Sequence, residues 1–372
     1  MERDKVYRYW MHNLPGIGDR TIEKLLKEFG CAENVYRARN HLPQQFVKKN
    51  TAEKIKEFTK TWEMEREYTK MQQKGIKFYS LEDEEYPARL RKLIHPPYAL
   101  YCMGSMPEEE RPSVAIIGAR ECSEYGRYMA EAFAGKMADA GVSIISGMAR
   151  GIDGIGQRAA VEKKGRTYAV LGSGVDVCYP ASNKALYRDI QDTGGGILSV
   201  FPPGTSPQKA QFPERNRIVA GLADVILVVE ARAKSGTWIT VDMALEQGKN
   251  IYAVPGRLTD RLSDGCNLLI RQGAGIALTP EDILAELAVL TNRKGTKNKQ
   301  SRGRKKKEHK GDMDIAGFLD FNPKPAEEIL KEITDAGMSM ELPDLLAELI
   351  GLCVEGRAKQ VTGSHFVKVH ER

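Results

Sequence analysis

The residues of this chain best suited to chemistry are cations set among glycines. Gly118, Ala119 and Arg120 follow an apolar run at 114–117, and Ser146-Gly147-Met148-Ala149-Arg150-Gly151 follows another at 142–145. Farther on stand Gly172-Ser173-Gly174, Lys184, the stretch Phe212 to Arg217 with Arg215, Asn216 and Arg217, and Ser235-Gly236-Thr237. Small-residue loops that open onto helix N-termini leave backbone N–H groups unpaired beside a partial positive charge. Arginines add fixed charge in a fork that suits phosphate. The chemistry on offer is anion binding. A single arginine of this kind is more often a structural ion pair. Several converging on one sheet edge suit a polyphosphate chain better than one nucleotide. Tyr179, Phe201 and Phe212 could stack on bases, although each taken alone reads more simply as core.

Groups for catalysis are scarcer. The six histidines lie at 12, 41, 95, 309, 365 and 370, so the stretch 113–290 has none for a Ser–His or Cys–His arrangement. No HExxH or other metal spacing occurs, and the six cysteines form no CxxC pair. The first loop lacks GxGxxG, and the second strand ends in Ser146-Gly147 rather than an acid that would hold a ribose hydroxyl. Hydride chemistry with a dinucleotide is therefore not expected. Nor is a P-loop, since GxxxxGK[ST] is absent. Asp153, Asp176 and Glu230 stand near strand ends. Asp153 reads as the cap of the helix it begins. Glu230 reads as a general acid/base or, more simply, as an acceptor for loop N–H groups.

These residues need elements to position them. Between the runs 114–117 and 142–145, Met129, Ala132, Phe133, Lys136 and Met137 fall at helical spacing. Strand, helix, strand makes a βαβ unit of a parallel sheet buried on both faces, and such sheets bind ligands beyond the carboxyl ends of their strands. Further strand-like runs at 167–171, 197–200, 225–229 and 251–254 repeat the pattern and predict a doubly wound α/β domain. Shorter runs at 77–80 and 98–103 extend that sheet. Residues 1–70 read as all-helical. LPGIGDRTIEKLLKEFG at 14–30, with Ile22, Leu25, Leu26 and Phe29 on one face, fits either a DNA-binding helix-hairpin-helix or a bundle packed on the core. Residues 291–312 read as a linker. Residues 313–372 read as helices followed by strands at 358–361 and 365–369, resembling a winged helix.

Composition bounds these expectations. The chain has 372 residues, 41% hydrophobic and 28% charged, which suits a globular protein of two to four domains. No apolar run is long enough to span a bilayer, and MERDKVYRYW lacks the apolar region of a secretory signal. Scattered cysteines suit a reducing cytoplasm. The net charge is +6, but residues 293–310 hold ten Lys/Arg against one Glu, about +9, leaving about −3 elsewhere. The basic character thus belongs to the linker, which would strengthen nucleic-acid binding without sequence specificity.

Taken together, VAIIGAR, SGMARGID, AVLGSGVDVCYP, FPPGT, FPERNRIVAGL, VVEARAKSGTWIT, EQGKNIYAVPG and SDGCNLLIRQGA follow one another in the order and spacing of the DprA/Smf family, over about 75–290. The resemblance implies an extended Rossmann-like sheet at 71–290, flanked by an N-terminal SAM- or helix-hairpin-helix-like domain and a C-terminal winged helix. It implies a non-catalytic, cofactor-free protein of natural transformation. Such a protein binds and protects incoming single-stranded DNA and loads the recombinase RecA onto it, displacing single-strand-binding protein, usually as a homodimer. Carried over by position, the DNA-binding residues would be Gly118, Ala119, Arg120, Ser146, Gly147, Arg150, Gly172, Ser173, Gly174, Phe212, Arg215, Asn216, Arg217, Ser235, Gly236 and Thr237. Many relatives carry Lys directly after Tyr-Pro. Here Ala181 stands there, and Lys184 is the nearest replacement. The competing reading is a nucleotide-processing enzyme of the phosphoribohydrolase type using the same loops with Glu230, though the PGGxGT signature of those enzymes is absent.

Overall fold

Nine strands form one sheet in the order β1-β2-β6-β5-β4-β3-β7-β8-β9. They are β1 (Ile76–Ser80), β2 (Ala99–Gly104), β3 (Ser113–Gly118), β4 (Ser143–Ser146), β5 (Thr167–Val170), β6 (Gly196–Ser199), β7 (Val225–Glu230), β8 (Asn250–Ala253) and β9 (Gly275–Ile276). This computed structural model describes residues 2–299, 315–319, 324–335, 340–355, 357–360 and 364–368. From β6 to β9 every neighbouring pair is parallel, while β1 and β2 add an antiparallel extension beside β6. The expected strands are all present. The two-residue β9 was not anticipated, because Gly275 and Ile276 are too few to carry a period.

The helices are α1 (Glu2–His12), α2 (Asp19–Phe29), α3 (Ala32–Arg37), α4 (Lys49–Thr61), α5 (Met64–Gln73), α6 (Ala88–Arg91), α7 (Glu124–Asp139), α8 (Ile152–Glu162), α9 (Lys184–Asp192), α10 (Gln211–Leu222), α11 (Thr237–Glu246), α12 (Asp264–Arg271) and α13 (Pro280–Lys299). Period two in β3 sorts the layers. Val114 and Ile116 join the core built with α7, α8 and α13, while Ala115 and Ile117 join the core built with α6, α10, α11 and α12. Each Val or Ile buried this way contributes about 1.5–3 kcal/mol. Both faces are covered, so the strands are continuous apolar runs rather than alternating ones. The order reverses at β3, whose neighbours are β4 and β7. That reversal is the switch point at which a ligand crevice opens. A register shift between Ile117 and Gly118 sets Gly118 opposite Glu230 there.

The chain divides into two compact units, Met1–Lys299 and Gln300–Arg372. The helices expected over 1–70 do not stand apart. Trp10, Met11, Ile22, Leu25 and Ile55 share one hydrophobic cluster with Ile76, Phe78, Tyr101 and Ile197 of the sheet. Arg8 donates to Ser80 Oγ at 3.1 Å, and Lys5 pairs with Asp83 at 3.3 Å. The bundle-on-core alternative for 14–30 therefore describes the packing. The expected linker also begins later than 291, because α13 continues to Lys299, although Gly295 and the Thr and Asn residues of that stretch favour helix poorly. Its basic part beyond 299 lies outside the described residues, as do 361–363 and 369. In the second unit, α14 (Ala326–Asp335) and α15 (Leu342–Val354) bury Ile329, Ile333, Leu345 and Leu349 with Phe366. Three short strands accompany them: β10 (Lys324–Pro325), β11 (Ala358–Gln360) and β12 (His365–Lys368). They pair antiparallel in the order β10-β12-β11. Among the described residues no helix is long and apolar enough to cross a membrane.

Candidate nucleic-acid interface

A pocket of about 270 Å³ opens at the carboxyl ends of β3, β4 and β5. Its walls bring together Arg120, Gly147, Arg150, Gly172, Phe212 and Arg215, all expected from the sequence, with Tyr179 beside them. Two cations stand near the Phe212 ring: the Arg120 and Arg215 guanidinium carbons lie 5.6 and 5.7 Å from its centroid. The Tyr179 ring, 44% exposed, stands 6.0 Å from Phe212 at a 42° tilt. Arg120 and Arg150 are exposed, and among the described residues neither lies within 4.0 Å of a carboxylate oxygen. The pocket thus joins unpaired cations to an aromatic floor. A second cavity of about 320 Å³ lies between α7, α8 and the start of α9. Its Arg127 and Arg158 are matched by Glu131 and Glu162, so it lacks the net charge an anion needs.

Arg215 is the buried member, 5% exposed. Its Nη1 donates to the Val170 carbonyl at 3.1 Å. Burial lowers its pKa, and the Asp153 carboxylate offsets only part of that. Asp153 is itself 8% exposed; burial pushes its carboxyl up, while Arg215 and the Gly147 N–H, 3.2 Å away, pull it down. The expected cap role of Asp153 is therefore replaced. The cap position of α8 is Gly151, and Asp153 instead reaches back to the β4 loop. Gly147 is required at its place because an added Cβ would fall 1.5 Å from Arg215 Nη1. Gly151 is required for a different reason. Its φ is +74°, and a Cβ there would meet the Ala119 carbonyl oxygen at 2.2 Å.

The Arg120 loop is clipped to β7. Glu230 is fully buried, and its backbone carbonyl accepts the Ala119 N–H at 2.7 Å. Its carboxylate accepts the Ser123 N–H at 2.8 Å and the Ser123 hydroxyl at 2.5 Å. The simpler expectation for Glu230 is the one observed. Asn183, which sequence reasoning missed, donates to the Met148 and Ala149 carbonyls at 2.9 and 3.3 Å and holds the β4 loop from the other side. Met148 there has a φ of 52° and a buried side chain. The only sequence signal was an Asn three residues past Tyr-Pro.

Other expected residues are placed elsewhere. Gly118 lies behind the pocket against Ile152 and Glu230. Ser146 is buried and donates to the Ile116 carbonyl at 2.6 Å. Ser173 and Gly174 are buried and tie the β5 loop to the β6 loop: Ser199 Oγ donates to the Ser173 carbonyl at 2.6 Å, and the Gly174 N–H donates to the Thr205 carbonyl at 2.9 Å. Arg217 turns away from the pocket, donating to the His95 carbonyl and pairing with Glu214. Lys184 is exposed as the first residue of α9, after a single 3-10 turn over Ala181–Asn183. Asn216 is half-buried on α10. Ser235, Gly236 and Thr237 open α11 on the far side of the switch point, beyond β7. Phe201 packs at the edge of the core with Val200 and Trp238.

Comparison with known proteins points one way. The family described as DNA recombination-mediator protein A matches residues 77–288. DNA processing protein DprA of Streptococcus pneumoniae is 40% identical over 208 residues, covering 56% of this chain and 73% of that protein. Protein Smf of Synechocystis is 32% identical over 295 residues, covering 76% of this chain and 73% of that protein. The X-ray structure of the S. pneumoniae protein superposes with a TM-score of 0.65 at 34% identity, over 76% of this chain and 97% of the other. A Helicobacter pylori DNA processing protein A, described for its single-stranded DNA binding mode, gives a TM-score of 0.50 at 31% identity over 57% and 96% of the two chains.

Proposed function

Because the chain belongs to the DNA recombination-mediator protein A family, we propose that it is a single-stranded DNA-binding recombination mediator whose DNA lies in the pocket at the ends of β3, β4 and β5. One observation carries this reading: the Arg120 and Arg215 guanidinium carbons lie 5.6 and 5.7 Å from the Phe212 ring centroid in an open pocket that Tyr179 also lines. Every base has a π-face, so a stacking floor binds without reading sequence, at about 1–3 kcal/mol per base. Arg120 and Arg150 supply charge for the adjoining phosphates. A duplex would present its bases already stacked and paired, and could not offer one to Phe212 without unstacking it. The set proposed to touch DNA is Arg120, Gly147, Arg150, Gly172, Tyr179, Phe212 and Arg215. Ser146, Ser173, Gly174 and Gly118 support it from behind, and Lys184 and Asn216 stand at its margin.

No catalytic step is assigned. Both carboxylate oxygens of Glu230 are engaged by Ser123, which leaves the phosphoribohydrolase alternative without its base. Loading of RecA, displacement of single-strand-binding protein, pairing into a homodimer and a cytoplasmic setting follow from the family resemblance. A winged-helix-like role for the second unit and a DNA-strengthening role for the basic segment 293–310 belong to the same proposal.

The test is binding of labelled oligothymidylate and its duplex counterpart to wild type and to Arg120→Ala across a salt series. Wild type is expected to prefer the single strand and to weaken steeply with salt. Arg120→Ala is expected to lose tenfold or more, about 1.4 kcal/mol, with a shallower salt slope. Unchanged binding by Arg120→Ala would remove DNA from this pocket.

A further inference from the structure

The sheet edge that carries the pocket continues past the switch point. There the loops that follow β7 and β8 hold four exposed cations: Arg232, Lys234, Arg257 and Arg261. Among the described residues none of the four lies within 4.0 Å of a carboxylate oxygen. The acids in the same loops are occupied by backbone. Asp264 accepts the Ala233 N–H at 2.6 Å, and Asp260 accepts the Leu262 N–H at 2.9 Å. With Asp260 and Asp264 counted, the four cations leave these loops a net charge of +2 (4 − 2).

These loops are also locked to each other. The Gly265 N–H donates to the Ala231 carbonyl at 2.9 Å, and Trp238 Nε1 donates to the Arg232 carbonyl at 3.1 Å. Asn267 bonds both the N–H and the carbonyl of Gly256, at 3.2 and 3.1 Å. Tyr125, from the start of α7, donates to the Pro255 carbonyl at 2.7 Å and leaves its ring 42% exposed. Leu258 projects from the β8 loop with 92% exposure. Ser235 Oγ is enclosed at the start of α11 with no hydrogen-bond partner among the described residues. Charge and exposed apolar surface are thus assembled on fixed backbone.

We propose that the loops after β7 and β8 form a second, sequence-tolerant subsite for the same DNA strand. Arg232, Lys234, Arg257 and Arg261 take its phosphates, and Leu258 and Tyr125 offer apolar surface to its bases. This rests on the reading of the first pocket as a single-strand site. In the order β5-β4-β3-β7-β8 the centres of the two sites lie about two and a half strand spacings apart, about 12 Å, and their outer strands four spacings, about 19 Å. A strand crossing the switch point spans both, while an oligomer only long enough to fill the first pocket does not reach the outer loop.

The experiment compares oligothymidylates of about 4 and about 16 nucleotides, the limits of common single-strand site sizes, on the full chain. The double variant Arg232→Glu/Arg257→Glu is expected to bind the short oligomer like wild type. It should bind the long one more weakly by roughly fivefold per lost contact at about 0.1 M salt, with the salt slope reduced by about 0.7 per contact. Arg232→Gln/Arg257→Gln gives the same pattern at smaller amplitude, and serves if the charge reversal fails to fold. Equal weakening of both lengths would overturn the subsite, as would unchanged binding of the long oligomer. Unchanged DNA binding with loss of recombinase loading would assign the cations to a protein partner instead, and also overturns it. Failure of the first-pocket reading shows separately, as a short oligomer indifferent to Arg120→Ala.

Discussion

The Arg215 guanidinium occupies space that any side chain at 147 would need. Gly147→Ala places a methyl 1.5 Å from Nη1, so the guanidinium must leave its position between Asp153 and the Val170 carbonyl. Overpacking of this kind costs about 1–3 kcal/mol, and the displaced cation leaves the Phe212 ring. Gly147→Ala is expected to lower the thermal midpoint and to weaken oligothymidylate binding together, read by melting curves and fluorescence anisotropy. Retention of both would show that the buried arginine is not held where the geometry puts it. Residue types at this scale were partly legible. Arg120, Gly147 and Phe212 announced themselves by loop position. That Arg215 faces the pocket while Arg217 faces His95 was not, because which side of α10 looks outward depends on where the helix docks. Asp153 was misread for a similar reason. A carboxylate in a first helical turn looks the same whether it caps that turn or reaches back to a neighbouring loop.

At the scale of elements, α1 is fastened to β2 through a histidine. His12 Nδ1 and the Asn13 amide both bond Tyr101 OH, at 2.9 and 3.0 Å, and the ring stacks at 6.1 Å from Tyr98. Desolvation there lowers the His12 pKa to about 4. The unfolded chain, with a histidine near 6.5, therefore binds a proton the folded chain refuses. The stability His12 contributes as a neutral ring is whole above pH 6.5 and is lost as pH falls toward 4, by roughly 2–3 kcal/mol. Urea titrations between pH 7 and 4 should show that fall in wild type and a flatter profile in His12→Gln. A parallel profile in the two proteins would mean another group carries the loss. The strands themselves were the most legible elements, since apolar β-branched runs bounded by glycine have few other uses. The short β9 and the extension of α13 to Lys299 were not, because neither two residues nor a lysine-rich tail has an apolar period to read.

For the whole molecule, the division expected at residue 70 falls elsewhere. Trp10, Ile22 and Ile55 bury against Phe78 and Tyr101, so removing 1–73 would expose the sheet's extension. Residues Met1–Lys299 form a unit without the remainder. A chain ending at 299 is therefore expected to melt as its counterpart does within the full-length protein, whereas a chain beginning at 77 should melt at least 10 °C lower or fail to fold, by calorimetry. Indistinguishable midpoints for the two truncations would restore a separable N-terminal domain. Helical periodicity alone could not settle this, since an amphipathic helix buries its apolar stripe equally well against its fellows or against a sheet.

Glu230 clips the loop after β3 by backbone and side chain at once, and this bears on speed as much as on affinity. Arg120 is mounted on a support that is already set, so a strand bound at the proposed site would have little protein to order on contact. Encounter is then governed by how often a charged polymer meets a charged edge in the right attitude. Salt acts on arrival, and the closeness of base to ring sets the time before departure.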